Sequence, residues 1–416
     1  MSTADAPATN LHLLSRNPIF TASKNVWGYE IQSTAAVASD PAPDDQSGGV
    51  SATIIAGDYI GLNTILARNK KMLLSYTKDQ LLHQIPYAFP APTSVVLLND
   101  ACQRDATLIP ALQQLAGDGH SIALQWSSEV TPTSPILAMA VIICLAEPDD
   151  ARDPALRPFL EAGTTCIARN VTTKDELDRL QAEGIQLFQG HFFKTPEIIP
   201  GKKLSSHQNS RLQIMRIIET DEPDLAKLAD TIQADVTLSY RLLTYLNSPA
   251  FGFARKIDSI RQAITLLGWL NVRNWLRAVL LADITQGEQQ TELLHLSLHR
   301  GRFLEQIVRS YDYWNFKPDE MFLLGMFSLL DAILGISMQD ALNFLPLTDA
   351  QKKALCGDST SEYMPLLGVM NALEEADEDA QTQVMLSLSL DPQRTKQMHC
   401  EAGAWAGTIL DVGGAQ

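Results

Sequence analysis

Basic residues and long apolar runs are both scarce in this sequence of 416 residues. Its 32 lysines and arginines face 48 aspartates and glutamates, so the formal net charge is -16 at pH 7. Such a negative surface repels phosphate backbones, which disfavours binding of nucleic acid through general charge. The longest apolar stretch, residues 136–146, is far shorter than the roughly 20 residues of a transmembrane helix. We therefore expect neither nucleic acid nor a membrane as a partner.

Cysteine is also scarce. The five cysteines are Cys102, Cys144, Cys166, Cys356 and Cys400. Their odd number and wide separation provide neither a disulfide framework nor the paired spacing of a zinc site. The first residues, 1–11, lack the basic segment followed by an apolar one that marks a secretory signal. These absences predict reduced thiols and a cytoplasmic protein.

The composition that remains is typical of folded domains, with 45% hydrophobic and 19% charged residues. A chain of this length exceeds the usual size of one core, so we expect two domains. The Pro-, Gly-, Lys- and Ser-rich segment 197–209 marks the boundary. The predicted limits are 11–200 and 201–416, after a disordered segment at 1–10.

The N-terminal part alternates apolar β-type runs with helix-type segments. A strand, a turn at 21–25 and a second strand at 26–31 come first, and residues 33–51 are predicted to form a flexible insert. Six further strand candidates follow at residues 71–76, 95–98, 122–126, 140–146, 165–168 and 185–188. Strands at roughly 20 to 25 residue spacing predict a βα barrel, with an open doubly wound sheet as the alternative.

The C-terminal part is predicted to be entirely helical. Between residues 221 and 281 four apolar stripes recur at helical spacing. The last stripe consists of Val272, Trp275, Leu276 and Val279. Longer helices are predicted at 293–311 and 320–334. Short helices so close in sequence form a compact bundle.

Two segments near the ends of the N-terminal part carry a resemblance to a known family. They are Asn17-Pro18-Ile19-Phe20 leading to Gly28-Tyr29-Glu30, and Gln189-Gly190-His191-Phe192-Phe193-Lys194-Thr195-Pro196. This part resembles the EAL domain, a βα barrel whose active members hydrolyse the second messenger cyclic di-GMP with two divalent metal ions. The resemblance implies carboxylate ligands at the carboxyl ends of several strands.

Most of the positions that the resemblance assigns to metal ligands carry other residues. Glu30 remains, and the other positions hold Leu74, a leucine of strand 95–98, Gln125, Trp126, Val141, Cys144, Arg169 and Thr172. Trp126 is expected to obstruct the space that a metal-bound water needs. Loss at five strands predicts a degenerate barrel that binds no metal cofactor and is not an enzyme.

Ligand binding without hydrolysis remains the alternative, because basic side chains can hold a phosphate without metals. The candidate ligand-binding residues are Glu30, Arg169 and Lys194. A cyclic di-GMP sensor, or residual phosphodiesterase activity, requires that these residues converge on an open pocket with Trp126 turned away.

Residues 235–275 resemble the HDOD domain, the relative of HD phosphohydrolases that lacks their catalytic equipment. The resemblance is carried by Leu246-Asn247-Ser248-Pro249-Ala250-Phe251-Gly252, by Ile260, by Ala263-Ile264 and by Leu266-Leu267-Gly268. Ser328 and Leu329 stand where catalytic HD proteins have their His-Asp metal pair. A metal-compatible spacing of Glu292, His295 and His299 is interpreted as a half-exposed helix face instead of a metal site.

Both resemblances together predict a cytoplasmic signalling protein of the EAL-HDOD type, in the YuxH-like group. It is expected to act by contacts with proteins, such as cyclic di-GMP enzymes or other regulators, in the control of motility or biofilm formation. The contact region is predicted around Asn247, Phe251, Arg273 and Arg277, where the two arginines form a basic face. The oligomeric state stays open, with a homodimer as one option.

Overall fold

The computed structural model describes residues 12–35, 65–66, 68–127, 135–198, 204–219, 240, 262, 265, 268–285, 287–311, 315–345, 347–374 and 378–413. The chain divides into two compact units, Met1–Thr195 and Pro196–Gln416. The predicted disordered segment 1–10 and residues 36–51 of the predicted insert lie outside the described residues. The finer domain limits given above stay predictions.

The first unit is a closed barrel of eight strands that follow one another in sequence order. The strands are β1 His12–Thr21, β2 Val26–Ala35, β3 Lys71–Tyr76, β4 Ser94–Leu98, β5 Ser121–Gln125, β6 Ile142–Leu145, β7 Thr165–Ala168 and β8 Leu187–Gln189. Strand β1 pairs antiparallel with both β2 and β8, and the other neighbours pair in parallel. The predicted βα barrel is confirmed, and the open-sheet alternative is wrong.

Helices connect the parallel strands of the barrel. They are α1 Lys78–Leu82, α2 Asp100–Gln103, α3 Ile109–Gly117, α4 Pro135–Met139, α5 Arg157–Glu161 and α6 Lys174–Ala182, with 3-10 turns at Ile85–Ala88, Ala106–Leu108, Pro148–Arg152, Pro154–Leu156 and Phe192–Lys194. Helix α6 begins with a capping box, in which the Thr173 hydroxyl accepts from the Glu176 backbone and the Glu176 carboxylate accepts in return.

Alternation along each strand decides which side chains fill the barrel. The interior core consists of Ile19, Leu73, Val95, Leu97, Ala123, Ile142, Cys144, Ile167 and Leu187. The cross-strand partners Leu97 and Ala123, and likewise Cys144 and Ile167, lie in register. The barrel is therefore packed with apolar side chains in layers, and polar side chains enter its interior only near the strand ends.

The end of β2 differs most clearly from the expectation that a flexible insert begins at residue 33. Strand β2 continues to Ala35, so residues 33–35 belong to the sheet and not to the predicted insert. The extension arises because β1 and β2 form a long antiparallel ladder in which His12 pairs with Ala35. Backbone pairing overrides the Ser-Thr-Ala composition there, which by itself favours a loop.

The described part of the second unit is helical. Its helices are α7 Ser206–Ile218, α8 Trp269–Ile284, α9 Glu288–Ser310, α10 Pro318–Phe327, α11 Leu330–Leu334, α12 Met338–Leu342, α13 Asp349–Leu355, α14 Met364–Glu374, α15 Glu378–Ser387 and α16 Pro392–Gly413. The predicted stripe of α8 is buried throughout, as Val272, Trp275, Leu276 and Val279 are each at most 2% exposed. The other three stripes, at residues 221–267, fall largely outside the described residues.

The single helix predicted at 320–334 is two helices, α10 and α11. Ser328 ends α10, because its backbone N–H and its hydroxyl both donate to the Gly325 carbonyl oxygen, at 3.2 and 2.7 Å. Leu329 then leaves the helical region with φ -123° and ψ 18°. A serine that bonds locally to the backbone competes with helix continuation, and the apolar periodicity did not reveal this.

Two glycines allow α9 and α10 to cross with their backbones in contact. A Cβ at Gly325 would lie 2.5 Å from the Arg300 carbonyl oxygen and 2.6 Å from the Gly301 nitrogen. A Cβ at Gly301 would lie 2.7 Å from the Phe322 carbonyl oxygen. Because the obstacles are backbone atoms, no rotamer change can relieve these clashes.

We expect Gly325→Ala to destabilise the second unit by about 3 kcal/mol, since the added methyl overpacks a backbone-to-backbone crossing. The matched control is Gly368→Ala in α14, where an added Cβ would meet nothing within 4 Å. That control should stabilise the helix by about 0.5 to 1 kcal/mol. Urea unfolding followed by far-UV circular dichroism measures both. Equal effects of the two variants would contradict the close crossing.

Candidate functional site

Polar side chains reach the barrel interior at the carboxyl ends of the parallel strands. We call this end the mouth, and its interior-facing residues are Asn17, Glu30, Ser75, Gln125, Arg169 and Gln189. Their orientation follows from register, because each lies opposite, or two residues along its strand from, a member of the apolar core. Ser75 is exposed, while Asn17, Gln125 and Arg169 are half-buried. Ligands of βα barrels bind at this end of the strands.

Glu30 is the central acceptor of the mouth. Its Oε1 accepts a hydrogen bond from Arg169 Nη2 at 2.7 Å, and its Oε2 accepts one from Gln189 Nε2 at 2.8 Å. The Glu30 and Arg169 side chains are 8% and 15% exposed. The structure thus brings together two of the three predicted ligand-binding residues, from strands far apart in sequence.

Lys194, the third predicted residue, belongs to the 3-10 turn Phe192–Lys194 after β8 and is half-buried. Arg169 and Gln189 already engage both oxygens of Glu30. Lys194 is therefore not needed to compensate the charge of Glu30. Sequence reasoning missed Gln189, although it is the first residue of the second family-like segment.

Trp126 does not obstruct the mouth, so that expectation is wrong. It follows Gln125 at the end of β5, and alternation places Gln125 inside the barrel and Trp126 outside. Outside, the indole Nε1 donates to Asp153 Oδ2 at 3.1 Å, and the ring packs edge-on against Phe159 with centroids 5.9 Å apart. Tryptophan is thus turned away, as a ligand-binding mouth requires.

Three other replacements of ligand positions also lie away from the interior of the mouth. Val141 precedes β6 at the amino end of the barrel and is 52% exposed. Leu74 alternates with the core residue Leu73 and so faces outward. Thr172 hydrogen-bonds through both its N–H and its hydroxyl to Glu176 Oε2, in the cap of α6. The resemblance alone assigns these positions, and it does not show which side chains of each strand face the barrel interior.

The residues of the mouth do not fit a pair of divalent metal ions. The described residues contain no group of three or more His, Cys, Asp or Glu side chains that could hold a metal. Burial raises the pKa of Cys144, deep in the barrel, to about 12, so this thiol stays protonated. Glu30 could coordinate an ion only by giving up its bonds to Arg169 and Gln189.

The face of Glu292, His295 and His299 on α9 was weighed as a metal site. His299 Nε2 lies 2.7 Å from the His399 carbonyl oxygen, so this nitrogen carries a proton and donates. The His299 ring also stacks on His399 with centroids 4.1 Å apart. Nε2 of His299 therefore cannot ligate an ion, and the ring contact between His299 and His399 packs α9 against α16.

Arg273 and Arg277 do not form an exposed basic face, which corrects the sequence-based expectation. The Arg273 side chain is 15% exposed and pairs with Asp319, and Arg277 is enclosed more completely. Its side chain is fully buried, with Nε donating to Glu219 Oε1 at 2.5 Å and Nη1 donating to Asp319 Oδ1 at 2.6 Å. Burial alone would raise the pKa of Asp319, but the bonds and charges of Arg277 and Arg273 hold it below its usual range. The network joins α8 to α10 and to the end of α7. Asn247 and Phe251, the other predicted contacts, lie outside the described residues.

A second buried arginine occupies the place where the resemblance puts the His-Asp metal pair. Arg300 Nη1 donates to Ser328 Oγ at 3.0 Å. Its Nε and Nη2 donate to the two oxygens of Glu374, each at 2.7 Å. This bidentate pair connects α9 with α14 and neutralises the charge.

A comparison with protein families identifies this helical region. Residues 204–346 match the family described as HDOD domain. The second unit contains an HDOD domain. Within it, the described residues include α7 to α12, so the buried network of Arg277 lies inside the HDOD domain.

The chain is also similar, over nearly its whole length, to two named proteins. It is 26% identical over 412 residues to YuxH of Bacillus subtilis, covering 96% of this chain and 99% of that protein. It is 27% identical over 403 residues to the cyclic di-GMP phosphodiesterase CdgJ of Vibrio cholerae, covering 95% and 92%. With the HDOD match and the closed barrel, these similarities confirm the resemblance to EAL-HDOD proteins.

Solved structures similar to this chain include EAL proteins. BlrP1 of Klebsiella pneumoniae, in a calcium and cyclic di-GMP complex, is 15% identical to this chain with a TM-score of 0.35. The match covers 46% of this chain and 56% of BlrP1. A standalone EAL protein of Vibrio cholerae, bound to c-di-GMP, is 16% identical with a TM-score of 0.35, over 44% and 90%. Likeness at this level carries no conclusion about a ligand.

The expectation that this chain is not an enzyme is contradicted by the similarity to CdgJ, whose name states a phosphodiesterase activity. That expectation rested on eight assigned ligand positions, and four of them, at Leu74, Trp126, Val141 and Thr172, lie away from the interior of the mouth. The described residues include no helix that is long and apolar enough to cross a membrane.

We expect the Glu30–Arg169 pair to contribute to stability as a unit. Breaking a buried pair exposes the remaining charge to an apolar surrounding, so Glu30→Gln and Arg169→Met should each cost about 2 to 3 kcal/mol. The double variant should cost less than the sum, with a coupling of about 1 to 2 kcal/mol. Urea unfolding of the four proteins measures this cycle.

The matched control is the exposed pair Arg157 and Glu161, whose side chains are 81% and 74% exposed. Glu161→Gln should change the free energy of unfolding by no more than about 0.5 kcal/mol. Additive effects of the Glu30 and Arg169 substitutions would show that the pair is not coupled.

Proposed function

We propose that this protein acts in cyclic di-GMP signalling and that the mouth of its barrel binds cyclic di-GMP. The observation that carries the proposal is one guanidinium, Arg169, held at the mouth by the Glu30 carboxylate beside the neutral side chains of Gln125, Gln189 and Ser75. The ligand has two phosphodiesters and two guanines. Guanidinium groups bind phosphate oxygens, and the amides and hydroxyl of Gln125, Gln189 and Ser75 suit the donors and acceptors of a guanine edge.

Hydrolysis of cyclic di-GMP is the second candidate, and the full-length similarity to CdgJ favours it. The mouth offers one carboxylate, Glu30, and that carboxylate is engaged on both oxygens. Glu30 would have to exchange these partners in order to take part in hydrolysis. Binding is the step that both candidates share, and it comes first in any test.

The HDOD domain supplies the contact with partner proteins in this proposal, in regulation of motility or biofilm formation. Its contact surface is placed around Asn247, Phe251 and Arg273.

Calorimetric titration of cyclic di-GMP into the full-length protein, with Mg²⁺ or Mn²⁺ present, tests the proposal. Chromatography of the same mixture then detects a linear dinucleotide product. We expect saturable heat for cyclic di-GMP and at least about tenfold weaker binding of cyclic di-AMP, which lacks the guanine edge. Heat with product supports hydrolysis, and heat without product supports binding alone. Absence of both heat and product would contradict the proposed function.

A further inference from the structure

We infer that the barrel recognises a phosphodiester of its ligand directly through the Arg169 guanidinium, without a metal ion between them. The inference rests on the proposed function and concerns the same mouth. It starts from a disagreement between the resemblance, which implies two metal ions, and the residues present. The described residues contain no group of three or more His, Cys, Asp or Glu side chains that could hold a metal, and Glu30 is paired with Arg169 at 2.7 Å.

Two buried arginines of the second unit, Arg277 and Arg300, allow a comparison with the half-buried Arg169. Arg277 presents its Nε and Nη2 to the two oxygens of Glu219. Arg300 presents the same two nitrogens to the two oxygens of Glu374. Both arginines thus have a carboxylate filling the whole fork of parallel N–H groups.

Arg169 differs, because its fork is half filled. Nη2 donates to Glu30 Oε1, but the second oxygen of Glu30 is taken by Gln189. The neighbouring Nε is buried and has no hydrogen-bond partner among the described residues. A buried donor without an acceptor is costly, so an additional acceptor at this position is favourable.

A phosphodiester oxygen fits this free donor for reasons of charge and position. The guanidinium sits on the interior side of β7 at the mouth, where a ligand enters, and its side chain keeps 15% of its surface exposed. A guanidinium is always protonated and donates in a plane, which matches phosphate oxygens better than a neutral amide does. Glu30 and Gln189 hold that plane in place, so Glu30 acts as a positioning residue.

This role of Glu30 distinguishes the inference from metal-mediated binding. If an ion held the phosphate, Glu30 would be its carboxylate ligand, and Glu30→Gln would abolish binding. If Arg169 holds the phosphate, Glu30→Gln keeps an acceptor for Nη2 and removes a negative charge that opposes the ligand. Binding should then be retained or tightened, by up to about tenfold.

The experiment is calorimetric titration of cyclic di-GMP into the full-length protein, once in excess Mg²⁺ and once in excess EDTA. The proteins compared are the wild type, Arg169→Met, Arg169→Lys, Glu30→Gln and the control Arg157→Met, whose side chain is 81% exposed on α5. We expect equal affinity of the wild type in both buffers. Arg169→Met should lose about 10- to 100-fold in affinity, the worth of one charged hydrogen bond.

Arg169→Lys keeps the charge and tests the fork if Arg169→Met fails to fold, and it should lose at least about threefold. Arg157→Met should bind as the wild type does. Titration with inorganic phosphate separates a general anion site from a dinucleotide site, because a general anion site would bind phosphate as tightly as it binds cyclic di-GMP.

Two results overturn the inference while the proposed function stands. One is binding of the wild type only in the presence of Mg²⁺. The other is loss of binding in Glu30→Gln while the Arg169 variants keep the affinity of the wild type. Silence of the wild type in both buffers overturns the proposed function itself. Failure of the inference and failure of the proposed function therefore give different results.

Discussion

Burial of a guanidinium is costly unless its charge is compensated, and in both units of this chain a carboxylate compensates it. In the barrel, Arg169 of the β7 end reaches Glu30 of β2. In the helical unit, Arg277 draws Glu219 and Asp319 to α8. Each pair joins segments that are distant in sequence, so it fixes tertiary arrangement and not merely local structure. The desolvation cost of each charge is offset only while its partner stays in place.

The strands of the barrel were predictable because their apolar β-type runs are short and are separated by helix caps. Of the six later candidates, 71–76 and 165–168 match the observed bounds, and the other four differ at their ends by one or two residues. The face of each side chain was less accessible to sequence reasoning. Trp126 and Gln125 are adjacent, and only the pairing of Gln125 with Cys144 shows which of them enters the barrel. A one-residue change of phase exchanges interior and exterior, so a ligand position taken from resemblance needs the register.

Arg277 shows the corresponding limit for helices. Two arginines one turn apart are typical of a solvated face, and the carboxylates that bury Arg277 lie 58 and 42 residues away. Yet the sequence held a signal, because Trp275-Leu276-Arg277-Ala278-Val279-Leu280-Leu281 is apolar on every side except at the arginine. A helix that is apolar all round is buried, so a charge within it implies a buried partner. The partner's identity still required the fold.

An arginine paired with a carboxylate is found at both places where the resemblances put metal ions in catalytic relatives. In the barrel, Arg169 stands beside Glu30, and in the helical unit Arg300 stands between Ser328 and Glu374. An arginine supplies a positive charge covalently, at every physiological pH, whereas a metal ion must be captured and can be chelated. Arg300 has its Nε and Nη2 filled by Glu374, which makes it structural. Arg169 retains a buried Nε without a hydrogen-bond partner among the described residues. The Arg300 and Arg169 guanidinium groups therefore differ by one hydrogen bond, the one that Gln189 takes from Arg169 by holding the second oxygen of Glu30.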